Sequence, residues 1–507
     1  MYNKFVKLFS ALIATSMLFV FFPKVLVFSQ EETDIIIEFE DTELKRSILE
    51  AIGKPSGDDI LKSDALSITK LEINTSVSYG MMGPRQIKDI TPLKYFSNLT
   101  ELKIVGKGST GIINDITPLT GLTKLKHLSL YNNAFNNISP LENLKDLTYL
   151  DLSHNYVNDI TSLKSLKNLS YLNLSHNSLK AINLDSLTYL PNIEFLDLSN
   201  NQIEDISILG TIDSLTNVNI SNNQISDLTA LSNLNNLNSL NLSNNQISDL
   251  TALGNLNNLN SLNLFNNQIS DLTALSNLNN LNSLDLSSNQ ISNLESLSEL
   301  TNLNELLLSA NKINDFSPLE NLLNLTCLGL NDTGISNLAS LSALLNLEKL
   351  YLCVNNIENI KPLSKLSALK TLYLPTNSIK DISPLSELSN LEFLSLDHNP
   401  INNSQTPDAI HKPELDFSVG NITYEVWVIE KPSFQYGDFN GDGYVNSIDF
   451  ALLRKYLLGM IDKMPTGNVL DIADLNGDGN INSIDFALFR KYLLGIINVF
   501  PVENNLN

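Results

Sequence analysis

The sequence predicts an α/β solenoid, in which short parallel strands are joined by irregular or 3-10 return segments, followed by a small all-α domain. Two internal repeats support this prediction. Most of the chain repeats with a step of 22 residues, and its C-terminal part contains two near-identical copies of a twelve-residue acidic segment. An apolar segment at the N-terminus further predicts that the protein is exported.

The long repeat is marked by an asparagine that follows an L-x-L pair. This asparagine recurs from Asn133 to Asn399 in steps of 22 residues, apart from one step of 24 residues and one turn in which Thr333 takes its place. A period in the twenties with this leucine spacing is the signature of the leucine-rich repeat. Because one turn cannot bury its apolar face alone, we expect the turns to stack around a continuous core. Residues 34 to 420 are similar to the leucine-rich domain of bacterial internalins.

The sequence divides into five predicted segments. The stretch EDTELKRSILEAIG has the apolar spacing of a helix, and a solenoid needs a cap on its terminal turn. The stretch NITYEVWVIEK alternates apolar residues as a strand does, and we expect it to close the last turn. The segments are a signal peptide at 1–29, a helical N-terminal cap at 30–66, the solenoid at 67–420, a C-terminal cap strand and linker at 421–436, and the small all-α domain with the acidic duplication at 437–500.

The acidic duplication consists of DFNGDGYVNSID and DLNGDGNINSID, each followed by an apolar helical stretch. Each copy places oxygen-bearing side chains at loop positions 1, 3, 5, 9 and 12 and glycine at position 6, which is the spacing of a calcium-binding loop. Carboxylates so close together repel one another without a cation, so we expect calcium binding and folding to be coupled. The predicted ligands of two calcium ions are Asp438, Asn440, Asp442, Tyr444 (carbonyl), Asn446 and Asp449, and then Asp474, Asn476, Asp478, Asn480 (carbonyl), Asn482 and Asp485.

The loops differ from an ordinary EF-hand in two respects. Position 12 is aspartate, where glutamate is usual, and Pro432 and Gly437 exclude a helix before the first loop. Two loop–helix units without entering helices resemble the type I dockerin domain of cellulosomal proteins, over about residues 436 to 500. This resemblance implies binding to a cohesin domain of a scaffoldin, within an extracellular complex that degrades plant polysaccharides.

The dockerin resemblance also implies which residues contact cohesin. An Arg-Lys pair on a helix is ordinarily a solvated charged face, but its recurrence in both copies favours recognition. Because the copies match, we expect two interchangeable docking orientations related by a half-turn. The implied contact residues are Ser447, Ile448, Arg454 and Lys455 in the first copy, and Ser483, Ile484, Arg490 and Lys491 in the second.

The residues that flank the strand leucines form the predicted concave face of the solenoid. Aromatic residues occupy this face in the early and late turns, whereas the middle turns carry mainly serine and asparagine. Such rows suit sugar stacking or protein recognition, or they cover the strands and bind nothing. Enlarged loops at 74–86 and 105–112 favour the N-terminal third as the ligand site. The candidate ligand face comprises Tyr131, Tyr149, Tyr171, Phe195, Tyr351, Tyr373 and Phe393.

Composition restricts the partners and the location of the protein. A formal net charge of −23 and a pI near 4.5 argue against nucleic acid and anionic membrane as partners. Lys4 and Lys7 precede an apolar stretch, and small residues near Ser29 predict cleavage by signal peptidase. The alternative is an uncleaved membrane anchor, although Pro23 and Lys24 interrupt the apolar stretch. We expect a secreted, extracellular protein attached to the cellulosome, with no membrane contact after cleavage.

The sequence predicts no catalytic residue and therefore no enzyme. Three of the five histidines, His154, His176 and His398, stand in the repeat slot before the corner asparagine, and no G-x-S-x-G, H-E-x-x-H or P-loop occurs. The leading hypothesis is a non-catalytic cellulosome component whose repeat arm binds an unknown protein or polysaccharide. Two alternatives remain open: an arm that inhibits or recruits an enzyme on the scaffold, and a surface adhesin.

Overall fold

A computed structural model describes the cap, nearly all of the repeat region and parts of the C-terminal region. The chain divides into two units, Met1–Asn177 and Ser178–Asn507, and each is described by itself. The described residues are 34–74, 76–78, 84–106, 113–180, 184–401, 410–411, 417–419, 422–424, 426–429, 436–437, 439, 445, 447–458, 460, 473–476, 478, 480–493, 497 and 500–501.

The first unit begins with a helical cap. Helix α1 (Thr42–Ala51) is capped by the preceding residue, Asp41, whose carboxylate accepts the backbone N–H groups of Glu43 and Leu44. A short helix α2 (Lys62–Ser67) follows. Leu44 and Ile48 on one face of α1 are fully buried, which agrees with the predicted helical spacing. The cap therefore covers the apolar end of the first turns, as a solenoid requires.

The strands of the first unit are parallel and pair in register with the next turn. The first enlarged loop contains a two-stranded antiparallel hairpin, and residues 107–112 of the second one lie outside the described residues. The strands are β1 (Lys70–Asn74), β2 (Ser76–Ser78), β3 (Pro84–Gln86), β4 (Glu101–Val105), β5 (His127–Ser129), β6 (Tyr149–Asp151) and β7 (Tyr171–Asn173).

The second unit continues the same parallel pairing over ten strands. Each strand pairs with the next at the same repeat position, as Leu240 of one turn does with Leu262 of the following turn. The strands are β8 (Phe195–Asp197), β9 (Asn217–Asn219), β10 (Ser239–Asn241), β11 (Ser261–Asn263), β12 (Ser283–Asp285), β13 (Glu305–Leu307), β14 (Cys327–Gly329), β15 (Lys349–Tyr351), β16 (Thr371–Tyr373) and β17 (Phe393–Ser395).

The last parallel strand is closed by antiparallel strands. Four short strands follow it: β18 (Ile410–His411), β19 (Phe417–Val419), β20 (Ile422–Tyr424) and β21 (Val426–Ile429). Strand β21 pairs antiparallel with β17, so that Trp427 lies opposite Leu394, and β18 pairs antiparallel with the second half of β21, Val428 and Ile429. The alternating stretch thus closes the last turn through β21 alone, while β20 pairs with β19.

The return segments are short 3-10 helices, which confirms the predicted fold class. In the first unit they span Thr91–Tyr95, Thr117–Leu119, Ser139–Leu141 and Thr161–Ser165; in the second unit, Asp185–Tyr189, Ser207–Thr211, Thr229–Asn233, Thr251–Leu253, Thr273–Leu275, Glu295–Leu297, Ser317–Asn321, Ala339–Leu341, Lys361–Lys365 and Ser383–Glu387. The second unit also contains two α-helices, α3 (Ser447–Leu457) and α4 (Ser483–Leu493).

The corner asparagine satisfies backbone groups of adjacent turns. The Nδ2 group of Asn245 donates to the carbonyl oxygens of Ile220 at 3.1 Å, Leu242 at 3.0 Å and Ser243 at 3.2 Å. Its Oδ1 atom accepts the backbone N–H of Ile225 at 3.0 Å. One buried amide therefore serves four backbone groups that water cannot reach, which is why the repeat needs asparagine here.

An aspartate precedes most of the 3-10 segments and caps them. Oδ1 of Asp227 accepts the backbone N–H of Thr229 at 2.8 Å and the hydroxyl of the same residue at 2.6 Å. The hydroxyl bond and then the backbone bond lower the pKa of Asp227 from its ordinary value of 3.8. Asn293 accepts the equivalent backbone N–H in another turn, so the role needs an acceptor and not a charge.

We predict that Asn245→Ala lowers the free energy of unfolding of the repeat region by about 3 kcal/mol, because it leaves buried backbone groups without partners. Denaturant unfolding of the full chain in calcium measures the change. Ser239→Ala, on the adjacent strand face, is the control and shifts the midpoint little. Equal midpoints for Asn245→Ala and the control contradict the role assigned to the amide.

We also predict that Asp227→Asn, Asp249→Asn and Asp271→Asn together reduce the loss of stability in acid. The pKa of each aspartate is lowered in the folded state, so its contribution is present above the ordinary value of 3.8 and is lost as pH falls through the folded pKa. Denaturant midpoints at about pH 6 and about pH 3 should differ less in the triple variant than in the wild type. An unchanged difference contradicts the prediction.

Candidate calcium site and recognition surfaces

All six predicted ligand residues of the second acidic loop lie within the described residues. Asp474, Asn476, Asp478, Asn480 and Asn482 lie on the loop before α4, and Asp485 lies in the first turn of α4. Asp474 and Asp485 are buried, while the side chain of Asp478 is exposed.

Asp485 at position 12 closes the loop by accepting backbone N–H groups from three loop positions. Its Oδ1 atom accepts from Leu475 at 2.8 Å and from Asn476 at 3.3 Å, and its Oδ2 atom accepts from Asn482 at 2.8 Å. The side chain is fully buried. A carboxylate has about four acceptor positions, so Oδ2 retains capacity for a further ligand.

Asp478 at position 5 is held by the neighbouring amides. Its carboxylate accepts the Nδ2 group of Asn476 and the backbone N–H of Asn480, each at 2.8 Å. These two bonds lower the pKa of Asp478, in that order of effect, so its carboxylate is ionised at neutral pH. The backbone N–H of Asp478 donates to Asp474 Oδ1 at 3.1 Å, which draws position 1 toward position 5.

The described part of the first loop repeats the same closure. Asp449, at position 12, is fully buried and accepts the backbone N–H of Phe439 at 2.9 Å, as Asp485 does from Leu475. The other predicted ligands of this loop, Asp438, Asn440, Asp442, Tyr444 and Asn446, lie outside the described residues.

The donor set of the second loop fits calcium. Carboxylate, amide and carbonyl oxygens are hard ligands of the kind that Ca²⁺ takes in groups of six to eight, whereas zinc takes four nitrogen or sulfur ligands. In the part of the chain that the structure describes, no three histidine, cysteine, aspartate or glutamate side chains converge to form a metal centre by themselves. Half of the second loop's predicted oxygen donors come from asparagine, so carboxylates alone do not define this site.

The two loop–helix units share one small apolar core. Phe439 and Leu475, at position 2 of the two loops, are fully buried with Leu453, Ala473, Phe489 and Phe500. The rings of Phe450 and Phe486 stack with centroids 4.3 Å apart, and these residues occupy equivalent places on α3 and α4. Phe439 and Leu475 thus link loop closure to core packing. The backbone N–H of each donates to the aspartate at position 12 of its loop, and the side chain of each is buried in the shared core.

The predicted cohesin-contact residues lie at equivalent places on α3 and α4. Ile448 is 57 % exposed and Ile484 is 53 % exposed, although both are large apolar side chains. Arg454, Lys455, Arg490, Lys491 and Ser483 are also exposed, and Ser447 begins α3, its side chain lying outside the description. The two helices therefore present the same combination of isoleucine and cations to solvent.

Aromatic rings form two rows on the strand face of the first unit. The ring of Tyr149 lies between His127, with centroids 3.8 Å apart and planes at 6°, and Tyr171, at 4.1 Å and 10°. In the second row, the ring of His154 stacks on His176 at 3.8 Å, and Tyr131 approaches it edge-on at 5.1 Å. The structure thus brings three predicted ligand-face residues together with three histidines.

His154 and His176 were predicted to occupy structural repeat slots and not the ligand face. His154 and His176 have left-handed backbone conformations with φ of 56° and 53°, as the repeat slot before the asparagine requires. Burial and the neighbouring His176 lower the pKa of His154, which favours the neutral imidazole. The 22-residue spacing of His127, Tyr149 and Tyr171 is the sequence signal that indicates stacking.

The second unit contains the remaining candidate residues. The ring of Tyr373 lies between Tyr351, at 5.2 Å, and Phe393, at 4.7 Å, and all three side chains are half-buried. Burial raises the pKa of Tyr373, so its hydroxyl stays protonated at neutral pH. Phe195 is half-buried on β8.

We predict that Asp485→Ala prevents folding of the C-terminal domain even in saturating calcium. The substitution removes three hydrogen bonds and leaves buried N–H groups unpaired, at about 3 kcal/mol or more, in a domain with a small core. Asp485→Asn keeps one acceptor oxygen, so its effect on folding should lie between those of the wild type and Asp485→Ala. The exposed Asp478→Ala should fold in saturating calcium but bind calcium about tenfold more weakly.

Calcium titration by calorimetry, with helix content followed by circular dichroism, measures both effects. Addition of a chelator to the wild-type protein gives the reference signal for the calcium-free domain. If Asp485→Ala folds and binds calcium as the wild type does, position 12 is not the closure of the loop.

Comparisons with known proteins agree with this division of the chain. Residues 436–494 match the family model of the type I dockerin domain. Residues 159–203 match a leucine-rich repeat model, and 123–165, 213–255 and 345–387 match a model of two leucine-rich repeats. The described residues contain no helix that is both long and apolar enough to cross a membrane.

Solved structures with the same fold include an internalin (inlF) from Listeria monocytogenes, 29 % identical, which covers 70 % of this chain and 95 % of that one with a TM-score of 0.56. A leucine-rich repeat protein of Leptospira interrogans is 24 % identical, covering 68 % and 87 % of the two chains with a TM-score of 0.60, and shows the fold alone. A β-glucanase of Acetivibrio thermocellus is 56 % identical over 32 residues, which are 6 % of this chain. The match spans only 10 % of that enzyme. The chain therefore combines an internalin-like leucine-rich repeat domain with a C-terminal type I dockerin, a calcium-binding domain.

Proposed function

We propose that this protein is a secreted, non-catalytic component of a cellulosome. Its dockerin binds a cohesin domain of a scaffoldin in a calcium-dependent way, and its repeat domain binds a protein or carbohydrate ligand during plant polysaccharide degradation. The observation that supports this proposal best is the repeated surface on α3 and α4, where isoleucine and two cations are exposed at equivalent positions.

Two calcium ions would form the structural basis of docking. The ligands would be those predicted from the two loops, with Asp449 and Asp485 also closing the loops through backbone N–H groups. A bound divalent cation neutralises carboxylates that otherwise repel one another, so it stabilises the folded domain. Calcium would therefore control binding by setting the distance and orientation between α3 and α4.

The cohesin-binding surface would combine an apolar contact with cationic ones. Exposed isoleucine gains free energy when a partner removes it from water, and arginine and lysine pair with acidic groups at the rim. Since the same set occurs on α3 and α4, either helix could lead the contact. Docking in two orientations related by a half-turn would follow from this equivalence.

The non-catalytic role is supported by the kinds of domain present, since dockerins and leucine-rich repeats act by binding. The similarity to a β-glucanase is confined to a short segment and gives no reason to assign that activity here. It does support the context of polysaccharide degradation. Secretion rests on the N-terminal sequence, 1–29, which is outside the described residues.

We predict that replacing Ser447, Ile448, Arg454 and Lys455 with alanine weakens cohesin binding only about twofold, because the second set remains available. Replacing these together with Ser483, Ile484, Arg490 and Lys491 should weaken it about a hundredfold or more. Binding of the full-length protein to an immobilised panel of type I cohesin domains, with calcium, measures both.

Lys145→Ala, an exposed lysine of the repeat domain, is the matched control and should bind as the wild type does. Circular dichroism in calcium confirms that each variant is folded. If changing the α3 set by itself already abolishes binding, the protein does not dock in two equivalent orientations. If the wild type binds no cohesin of the panel, the docking role is excluded.

A further inference from the structure

The stacking of the first aromatic row determines which parts of the rings a ligand can touch. Both faces of the Tyr149 ring are covered, one by His127 with centroids 3.8 Å apart and the other by Tyr171 at 4.1 Å. The second row is similar, because His176 stacks on His154 and Tyr131 packs against it. The central ring of the first row, Tyr149, therefore presents its edge to solvent and not its face.

This geometry disfavours stacking of sugar rings. A sugar binds an aromatic platform through C–H groups laid on a free ring face, where the electron density of the π system lies. The ring edge is instead electropositive, and it suits carbonyl oxygens and apolar groups of a protein surface. Rings that are already packed also lose little conformational entropy on binding, which is typical of protein hot spots.

A preorganised carboxylate lies next to the first row. Asp151, on the same strand as Tyr149, accepts the hydroxyl of Ser129 at 3.1 Å on Oδ2. Its Oδ1 atom accepts the backbone N–H of Ser153 at 3.0 Å and the hydroxyl of the same residue at 2.5 Å. These three bonds fix the carboxylate, and Oδ2 keeps an acceptor position for one more donor.

Asp151 carries a negative charge that no ion pair among the described residues neutralises. Lys70 on β1 pairs with Glu101 on β4 at 2.7 Å, and Lys103 on β4 pairs with Glu72 on β1 at 2.9 Å, so these lysines are already paired with carboxylates. Among the described residues, no lysine or arginine forms an ion pair with Asp151. With an overall net charge of −23, the complementary partner is basic.

We propose that this strand face binds a protein partner that packs against the ring edges of Tyr149 and Tyr171 and places a lysine or arginine on Asp151. The inference rests on the proposed ligand-binding role of the repeat domain and deepens it by naming the class of partner. The arginine or lysine donates to Oδ2 of Asp151, and the aromatic rows provide the apolar contact around it.

The test uses the full-length protein in calcium with two defined probes. One is a random-peptide phage library selected on the immobilised protein; the other is a panel of soluble xylan, mixed-linkage β-glucan, xyloglucan and glucomannan in affinity electrophoresis. We expect selected peptides to contain lysine or arginine and to bind at least about tenfold more weakly to Tyr149→Ala and to Asp151→Asn. We expect none of the polysaccharides to retard the protein.

The matched control is Asp285→Asn. Asp285 occupies the same strand position as Asp151 and accepts the backbone N–H of Ser287 as Asp151 accepts that of Ser153. Two residues before Asp285, however, the strand carries Ser283, where the strand of Asp151 carries Tyr149. This variant should bind the selected peptides as the wild type does. Unfolding midpoints and cohesin binding show that each variant is intact.

Four outcomes overturn the inference. Selected peptides without basic residues, or equal weakening by Asp151→Asn and Asp285→Asn, exclude the role of Asp151. Retardation by a polysaccharide that Tyr149→Ala abolishes makes the face a carbohydrate site, so this inference fails while the proposed ligand-binding role stands. If neither probe binds, both the inference and the ligand-binding role of this face fail, and the cohesin-binding proposal is unaffected.

Discussion

Satisfying buried backbone groups is the constraint on which this structure depends. Each turn makes a tight corner after only three strand residues in most cases, and the carbonyl groups at that corner face an apolar interior. The amide of Asn245 and its equivalents bonds to backbone groups of its own turn and of the preceding one. Without a polar side chain at this corner, buried backbone groups would be left unpaired, at a cost comparable to a lost hydrogen bond; in one turn Thr333 takes this place and donates to the carbonyl oxygen of Leu330.

The same solution recurs with aspartate elsewhere in the chain. Asp227 caps a 3-10 return segment through a backbone N–H, and Asp485 closes an acidic loop through three of them. The two aspartates differ in burial, since Asp227 is exposed and Asp485 is fully buried. An exposed cap needs only an acceptor, so asparagine can replace aspartate, as Asn293 does in another turn. The buried carboxylate of Asp485 also contributes negative charge to a loop whose composition suits a cation.

The in-register parallel pairing that allows the asparagine hydrogen bonds also arranges the candidate ligand face. Residues 22 positions apart lie side by side on neighbouring strands, so aromatic residues at one repeat position stack on one another. Strands lie about 4.8 Å apart, close to the distance at which aromatic rings make contact. A row of rings on this scaffold is consequently rigid and exposes its edges, which links the geometry of the repeat to the kind of ligand it can bind.

The sequence alone determined the repeat, the corner asparagine and the two acidic loops, because each depends on residue type at a fixed spacing. Leucine alternation defined the strands, and the loop pattern from Asp474 to Asp485 predicted the oxygen donors for calcium. Only the tertiary structure decided that His127 and Tyr171 cover both faces of Tyr149, and that β21 pairs with β17 while β20 pairs with β19. Ring orientation and antiparallel pairing depend on neighbours brought together by folding, and such contacts leave no periodic signal in one sequence.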